Sequence, residues 1–224
     1  MKAAIFITGT DTGVGKTVLT ALLAQFLRER GVKVAALKPI CSGGRVDARI
    51  LRAALDGALA LDEINPWHFR VAIAPALAAK LENKLVKFVT VLAHIRAMRG
   101  KFDVTLVEGA GGLLAPFGEN FDSRGLIVAL RATPIIVAKN RLGAVNHILL
   151  TLAALPKNLH ARTKVVLMSP ARPDFATASN AKLLAQFFPP EKIFELPWLG
   201  KKFSSTKVLK KPRLKRTLAA LMSV

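Results

Sequence analysis

Short, nearly continuous apolar runs recur along the chain at residues 3–7, 33–37, 104–107, 134–137 and 164–168. Runs without alternation are what strands buried on both faces look like. Between them, apolar positions repeat at helical spacing over 18–30, 48–55, 86–99, 123–131, 145–155 and 178–187. Alternating strands and helices predict an α/β fold, a mostly parallel sheet flanked by helices on both faces. No internal repeat, low-complexity linker or domain boundary interrupts the pattern, so one domain over 1–224 is expected. In sheets of this kind ligands lie beyond the carboxyl ends of the strands. Chemistry is therefore sought just after each apolar run.

The first run leads into Thr8-Gly9-Thr10-Asp11-Thr12-Gly13-Val14-Gly15-Lys16-Thr17, and a helical pattern follows from Val18. Strand, glycine-containing loop and Lys-Thr at a helix start is the setting of a phosphate-binding loop, which extends the fold class to a P-loop NTPase type. Backbone N–H groups and the helix N-terminus converge there on one anion. Lys16 would reach the β- and γ-phosphates, and the Thr17 hydroxyl would ligate Mg²⁺. The usual pattern has glycine where Thr10 stands, and Gly9 comes one residue early.

The second run ends in Lys38-Pro39-Ile40-Cys41-Ser42-Gly43-Gly44. Pro39 biases Lys38 away from helix and is read as fixing a turn, which presents the lysine on the same sheet edge as the loop. A second cation there suits charge developing in phosphoryl transfer. Asp47 follows near a helix start. The third run ends in Glu108-Gly109-Ala110-Gly111-Gly112. An acid at the end of an apolar strand needs a cationic partner, and in a phosphate-loop protein it faces Mg²⁺. Thr17, Asp47 and Glu108 form a plausible oxygen set for that ion.

Two further stretches suit a small molecule. Ala74-Pro75-Ala76-Leu77-Ala78-Ala79 opens a helix with proline in its first turn. Leu142-Gly143-Ala144-Val145-Asn146-His147 begins another helix whose N-terminus could hold a carboxylate.

Composition narrows the setting. Hydrophobic residues make up 52% of 224, and mean hydropathy is +0.37. No apolar run reaches 18 residues, so no membrane span is expected. The single Cys41 permits no internal disulfide, which suits a reducing, cytoplasmic compartment. Net charge is +20. Such a field attracts polyanions, nucleic acid among them. The densest segment, 201–216, carries eight basic residues and no acid, but its only aromatic is Phe203 and the chain has no Tyr. A stacking surface for single strands is thus poorly supported. Anionic substrates such as ATP and bicarbonate fit the field equally well.

Taken in order, the phosphate loop, Lys38-Pro39-Ile40-Cys41-Ser42-Gly43, Ala74-Pro75 with Ala78-Ala79, Val107 to Leu114, Leu142 to His147 and Leu196-Pro197-Trp198-Leu199 resemble the dethiobiotin synthetases, the ATP-dependent carboxylases of biotin synthesis. The resemblance implies that one amine of 7,8-diaminononanoate captures CO₂ as a carbamate. The carbamate attacks the γ-phosphate, and the second amine closes the ring and expels phosphate. It implies ATP as co-substrate and Mg²⁺ as cofactor. By matching position, Gly13, Val14, Gly15, Lys16, Thr17 and Val18 hold the triphosphate. Asp47, Glu108, Gly109, Ala110, Gly111, Pro197, Trp198 and Leu199 complete the nucleotide site. Lys38 and Lys16 act in catalysis, and Thr17, Asp47 and Glu108 bind the metal. Thr12, Lys38 and Ser42 contact the diamine. Gly143, Ala144 and Asn146 bind the substrate carboxylate from the partner subunit of a homodimer.

The match lapses where the family has an Asn for adenine, here Met168-Ser169, and in the Lys-rich stretch after Trp198, where an acid is expected. Two other readings compete. A cobyrinate-type amidoligase predicts a longer chain with a glutaminase domain. A ParA/MinD-type regulatory ATPase, binding DNA or membrane, places a signature Lys where Asp11 stands. A basic nucleic-acid-binding module with a vestigial site is countered by intact Lys16, Thr17, Lys38 and Glu108.

Overall fold

The computed structural model describes residues 2–200 and 211–223. Strands β1 (Ala3–Gly9), β2 (Val34–Leu37), β5 (Val104–Glu108), β6 (Thr133–Lys139), β7 (Lys164–Met168) and β8 (Ile193–Leu196) form one sheet in the order β2-β5-β1-β6-β7-β8. Every pairing in it is parallel. Phe6, Ile7, Leu106, Val107, Ile136 and Val166 are fully buried, as strands covered on both faces must be. Helices α1 (Lys16–Glu29), α2 (Val46–Ala54), α5 (Phe88–Lys101), α6 (Ser123–Leu130), α7 (Ala144–Ala154) and α9 (Phe175–Leu184) are the six foreseen, with ends shifted by up to three residues. Asp122 and Asp174 start α6 and α9 by accepting from the N–H groups of Gly125 and Thr177.

Strand order positions the site. From β1 the chain goes out to β2, returns to insert β5 beside β1, and crosses to β6 on the other side. That reversal opens a crevice at the carboxyl ends of the central strands. Register sets the level of each side chain there. Leu37 pairs with Val107 and Ile7 with Glu108, so Lys38 and Glu108 emerge side by side, just below the loop that follows Gly9.

Several elements were not foreseen. β3 (Ile40–Ser42) and β4 (Trp67–Phe69) form a separate two-stranded parallel sheet. Pro39 therefore marks a bend between two strands, rather than the turn expected there. Short helices α3 (Leu61–Ile64), α4 (Pro75–Leu81) and α8 (Lys157–His160) fill the connections; only α4, with Pro75 at its first position, was expected. At the far end α10 (Pro212–Met222) buries Leu214, Leu218 and Leu221 and leaves its basic residues outside. The part of the predicted basic segment at 201–210 lies outside the described residues.

Candidate active site

The phosphate loop explains its irregular glycine. A Cβ on Gly9 would stand 2.7 Å from Val14 Cγ2 and 3.2 Å from Lys16 Nζ. A Cβ there would press hardest on Val14 and crowd the Asp11 carbonyl and the Lys16 ammonium, so the position favours glycine. Thr10, free of that contact, instead extends the strand edge by donating its N–H to Val137 O at 3.0 Å. Gly13 and Gly15 take φ of +67° and +103°, values a side chain would resist. Gly15 then caps α1, whose first residues are Lys16 and Thr17.

Beyond the strand ends lies a cavity of about 820 Å³. Thr12, Gly13, Gly15, Lys16, Thr17, Val18, Lys38, Ser42, Asp47, Glu108, Ala110 and Gly111 all line it. Lys38 is its hub. The ammonium lies 2.6 Å from Glu108 Oε1 and 3.0 Å from Asp47 Oδ2, and it donates to Gly109 O at 3.0 Å. Thr17 Oγ1 donates to the same Glu108 Oε1 at 2.7 Å. Burial pulls the Lys38 ammonium down, but Glu108 and Asp47 outweigh it and hold its pKa above the usual lysine value. Burial works against the Asp47 carboxylate, yet Lys38 and the Thr17 hydroxyl keep its pKa below normal. Lys16 differs: burial first, and Lys38 second, push it down to about 8. Its Nζ donates to two backbone carbonyls, Asp11 O at 2.8 Å and Gly111 O at 2.6 Å.

Thr17, Asp47 and Glu108 pass a test as a metal site. Glu108 Oε2 is buried without a hydrogen-bond partner among the described residues. A carboxylate with one oxygen served and one orphaned suits a hard cation. Among the described residues no three His, Cys, Asp or Glu side chains gather around one point. Two carboxylates and a hydroxyl match a cation that keeps water and phosphate oxygens in its shell.

On the other side of the loop is a slot of about 400 Å³, sharing Gly13, Gly15 and Val18 with the cavity. Pro197, Trp198 and Leu199 wall it together with Val14 and Met168. Lys139, Asn140 and Arg141 at the end of β6 also line it. They had been missed, although the rule that sites follow strands pointed to them.

Other expected contacts are indirect or absent within one chain. Gly109 is not in the cavity lining; it contributes its carbonyl to Lys38. Ser42 lines the cavity, but its hydroxyl already donates to Ile73 O at 2.5 Å. Gly143, Ala144 and Asn146 start α7 but do not reach the cavity. Cys41 is buried, donates to Asn65 Oδ1, and has its thiol pKa raised by burial, as befits a packing residue. Asn65 was overlooked. Its buried amide donates to Lys38 O at 2.7 Å and its oxygen accepts from Arg45 Nε at 3.2 Å, so it fixes the backbone that presents the lysine. Nothing near it in sequence marks it.

A family profile described as an AAA domain matches residues 3–202. Three relatives carry the name "ATP-dependent dethiobiotin synthetase BioD". The one from Anaeromyxobacter sp. (strain Fw109-5) is 42% identical over 167 residues, 73% of this chain and 75% of its own. Those from Methanococcus vannielii and Bacillus subtilis (strain 168) are 37% and 40% identical, over 68% and 65% of this chain and 72% and 65% of their own. Two solved structures share the fold. A pNOB8 ParA bound to nonspecific DNA superposes with TM-score 0.59 at 15% identity, covering 99% of this chain and 95% of its own. A ParA family ATPase from Chlorobium tepidum TLS gives 0.57 at 18%, covering 98% of each.

Proposed function

We propose the function of this site from one premise: the chain belongs to the ATP-dependent dethiobiotin synthetase family. Its reaction is the carboxylation and ring closure of 7,8-diaminononanoate with CO₂ and ATP, giving dethiobiotin, ADP and phosphate. The observation that carries this assignment is the buried cluster at the strand ends, Lys38 with Glu108 and Asp47, beside Lys16 and Thr17.

The triphosphate lies along the N–H groups of Gly13, Val14, Gly15 and the start of α1, with the helix N-terminus favouring its charge. Lys16 exchanges its two carbonyl partners for phosphate oxygens. One amine of the diamine adds to CO₂ and loses a proton, giving a carbamate. A carbamate oxygen attacks the γ-phosphorus, ADP leaves, and a mixed carbamic–phosphoric anhydride results. The second amine attacks the carbonyl carbon, and phosphate leaves as the ring closes. Lys38 and Lys16 face the charge that builds on phosphoryl and carbonyl oxygens in both steps. Thr17, Asp47 and Glu108 would hold Mg²⁺, which would supply positive charge to offset that of the triphosphate. Thr12 and Ser42 line the cavity together with Ala74 and Pro75, and would contact the diamine.

The substrate carboxylate is taken by Gly143, Ala144 and Asn146 of a partner copy, in a homodimer. Gly143 and Asn146 are exposed, and Leu142 beside them and Leu150, one turn on from Asn146 along the same helix face, are 84% and 60% exposed. Exposed apolar side chains flanking a helix N-terminus support a covered interface. No helix is long and apolar enough to cross a membrane among the described residues. With its lone thiol buried, the chain suits the reducing cytoplasm. The phosphate loop, Lys38 and Glu108 all follow or end strands of one sheet, which supports one working unit over 1–224.

The test is turnover by the purified protein. ATP consumption and dethiobiotin formation are expected only with diamine and bicarbonate both present. ATP hydrolysis that ignores the diamine and rises with added DNA would overturn the assignment in favour of a ParA-like switch.

A further inference from the structure

Two of the charged groups that meet in the cavity come from the two ends of one segment. Lys38 stands where the chain leaves β2, and Asp47 is the second residue of α2. Between them the chain runs through β3 and then through Gly43 and Gly44, at φ of +78° and +98°. Glycines in that region leave a connection free to move unless something else ties it. Yet the lysine and the carboxylate are held 3.0 Å apart.

One side chain ties both ends. Asn65 is fully buried. Its Nδ2 donates to Lys38 O at 2.7 Å, with Pro39 O and Trp67 O each at 3.4 Å. Its Oδ1 accepts from Cys41 Sγ at 3.1 Å and from Arg45 Nε at 3.2 Å. Carbonyls surround the amide nitrogen and donors surround the amide oxygen, so the group can sit only one way round. A carboxylate would turn an oxygen against the Lys38 carbonyl, and a hydrocarbon would leave all these groups unpaired.

Arg45 carries the tie onward to α2. It stands immediately before the helix, and its carbonyl accepts from Arg49 N–H at 3.0 Å. Its Nη2 donates to Leu61 O at 2.7 Å and to Asn65 O at 2.9 Å, and lies 2.7 Å from Asp62 Oδ1. Asp62 is exposed, so the carbonyls, more than the ion pair, orient the guanidinium. On the other side, Lys38 N–H donates to Ile64 O at 2.9 Å. Residues 61–65 thus grip the chain at both ends of the segment. Neither Asn65 nor Arg45 lines the cavity, so each can act on the reaction only through the groups it holds.

We infer that Asn65, working with Arg45, is a positioning residue that sets the Lys38 ammonium against the Asp47 carboxylate. The inference deepens the synthetase reading and rests on it. Preset geometry matters there because Lys38 must meet charge that develops only as the reaction proceeds. Asp47, in turn, would have to stand ready for the metal.

The test uses Asn65→Ala in the full chain, at a temperature where a thermal melt shows it folded. Loss of an outer partner of this kind costs about 10–100-fold, so kcat should fall by that factor while KM for ATP changes little. Calorimetry adds a readout without turnover. Affinity for ADP should weaken about tenfold in the presence of Mg²⁺ and hold in EDTA, where the phosphate loop alone carries it. A kcat close to that of the unsubstituted chain overturns the inference. So does an equal loss of ADP affinity with and without Mg²⁺, the mark of a generally loosened fold. If Asn65→Ala does not fold, Arg45→Lys decides. It keeps a cation for Asp62 but gives up the fork that reaches Asn65 and Leu61 together. Its kcat should fall in the same selective way, and an unchanged kcat overturns the inference. If the unsubstituted chain makes no diamine-dependent product, the synthetase reading fails. The paired ADP affinities then still decide whether Asn65 positions Asp47.

Discussion

The cavity and the slot meet at Gly13, Gly15 and Val18, yet they are made of opposite materials. In the cavity, Lys38, Glu108, Asp47 and Thr17 are linked by short contacts of 2.6–3.0 Å, and Lys16 is held by two backbone carbonyls at 2.6 and 2.8 Å. Each group has its orientation set by another group or by a carbonyl. In the slot the Asn140 amide is tied to Asn180 and Thr177, the Ser169 hydroxyl is free to turn, and Met168, Pro197, Trp198 and Leu199 are apolar wall. A fixed set of charges stabilises one charge distribution and penalises others. Apolar wall stabilises area. On the proposed reading the cavity can therefore supply chemistry, and the slot supplies contact area.

The sharpest way to break this contrast is Lys38→Ala. Removing the hub ammonium withdraws a donor from the developing oxyanions and leaves buried Glu108 and neighbouring Asp47 without their contacting counter-charge, with only Lys16 nearby. One such donor is worth about 10²–10³ in kcat, so turnover should fall at least that far while KM for ATP changes much less. Breaking a buried pair from one side destabilises by about 3–5 kcal/mol. The melting temperature should therefore drop in EDTA, and Mg²⁺ should restore part of it. Kinetics and thermal melts read both effects, and near-normal kcat would remove Lys38 from the catalytic set.

The slot should respond differently. Trp198→Ala deletes the largest apolar wall at a half-exposed position. Base–aromatic contact is worth about 1–3 kcal/mol per base. An increase in KM of roughly 5–30-fold is expected, near the lower part of that range. The effect should fall on KM, with kcat kept. Loss of kcat would show that the two compartments are not separate in role.

The same contrast governs what could be read from the chain. Lys16, Thr17, Lys38, Asp47 and Glu108 were legible because each follows a continuous apolar strand or starts a helix, and parallel topology gathers such positions at one edge. The slot was only partly legible: its walls come from four separate segments, and Lys139–Arg141 carry no motif beyond their place after β6. Asn65 was hidden for the same reason, since its role exists only after β3 and β4 have paired. Those strands are three residues long, too short to show a period. The helix α10 was masked by charge. Its Leu214, Leu218 and Leu221 repeat at helical spacing inside a stretch that reads as a solvated basic run.

The smallest expected effect isolates the cavity from the slot by pH. Burial, with Lys38 beside it, holds the free Lys16 ammonium at about 8, whereas a bound triphosphate would favour its protonated form. Above pH 8 binding must therefore take up a proton. Affinity for a non-hydrolysable ATP analogue, measured by calorimetry in EDTA, should weaken with rising pH, roughly fivefold from pH 8 to 9. Lys16→Arg should flatten this dependence, because a guanidinium stays charged throughout. Stability should move the other way. Between pH 8 and the ordinary lysine value near 10.5 the unfolded chain holds a proton on Lys16 that the folded chain does not. This group therefore adds stability as pH rises through that window. A nucleotide affinity that falls while the metal-free melting point holds or climbs is the signature of a buried cation waiting for an anion. A flat affinity profile in the unsubstituted chain would mean that Lys16 does not face the phosphates.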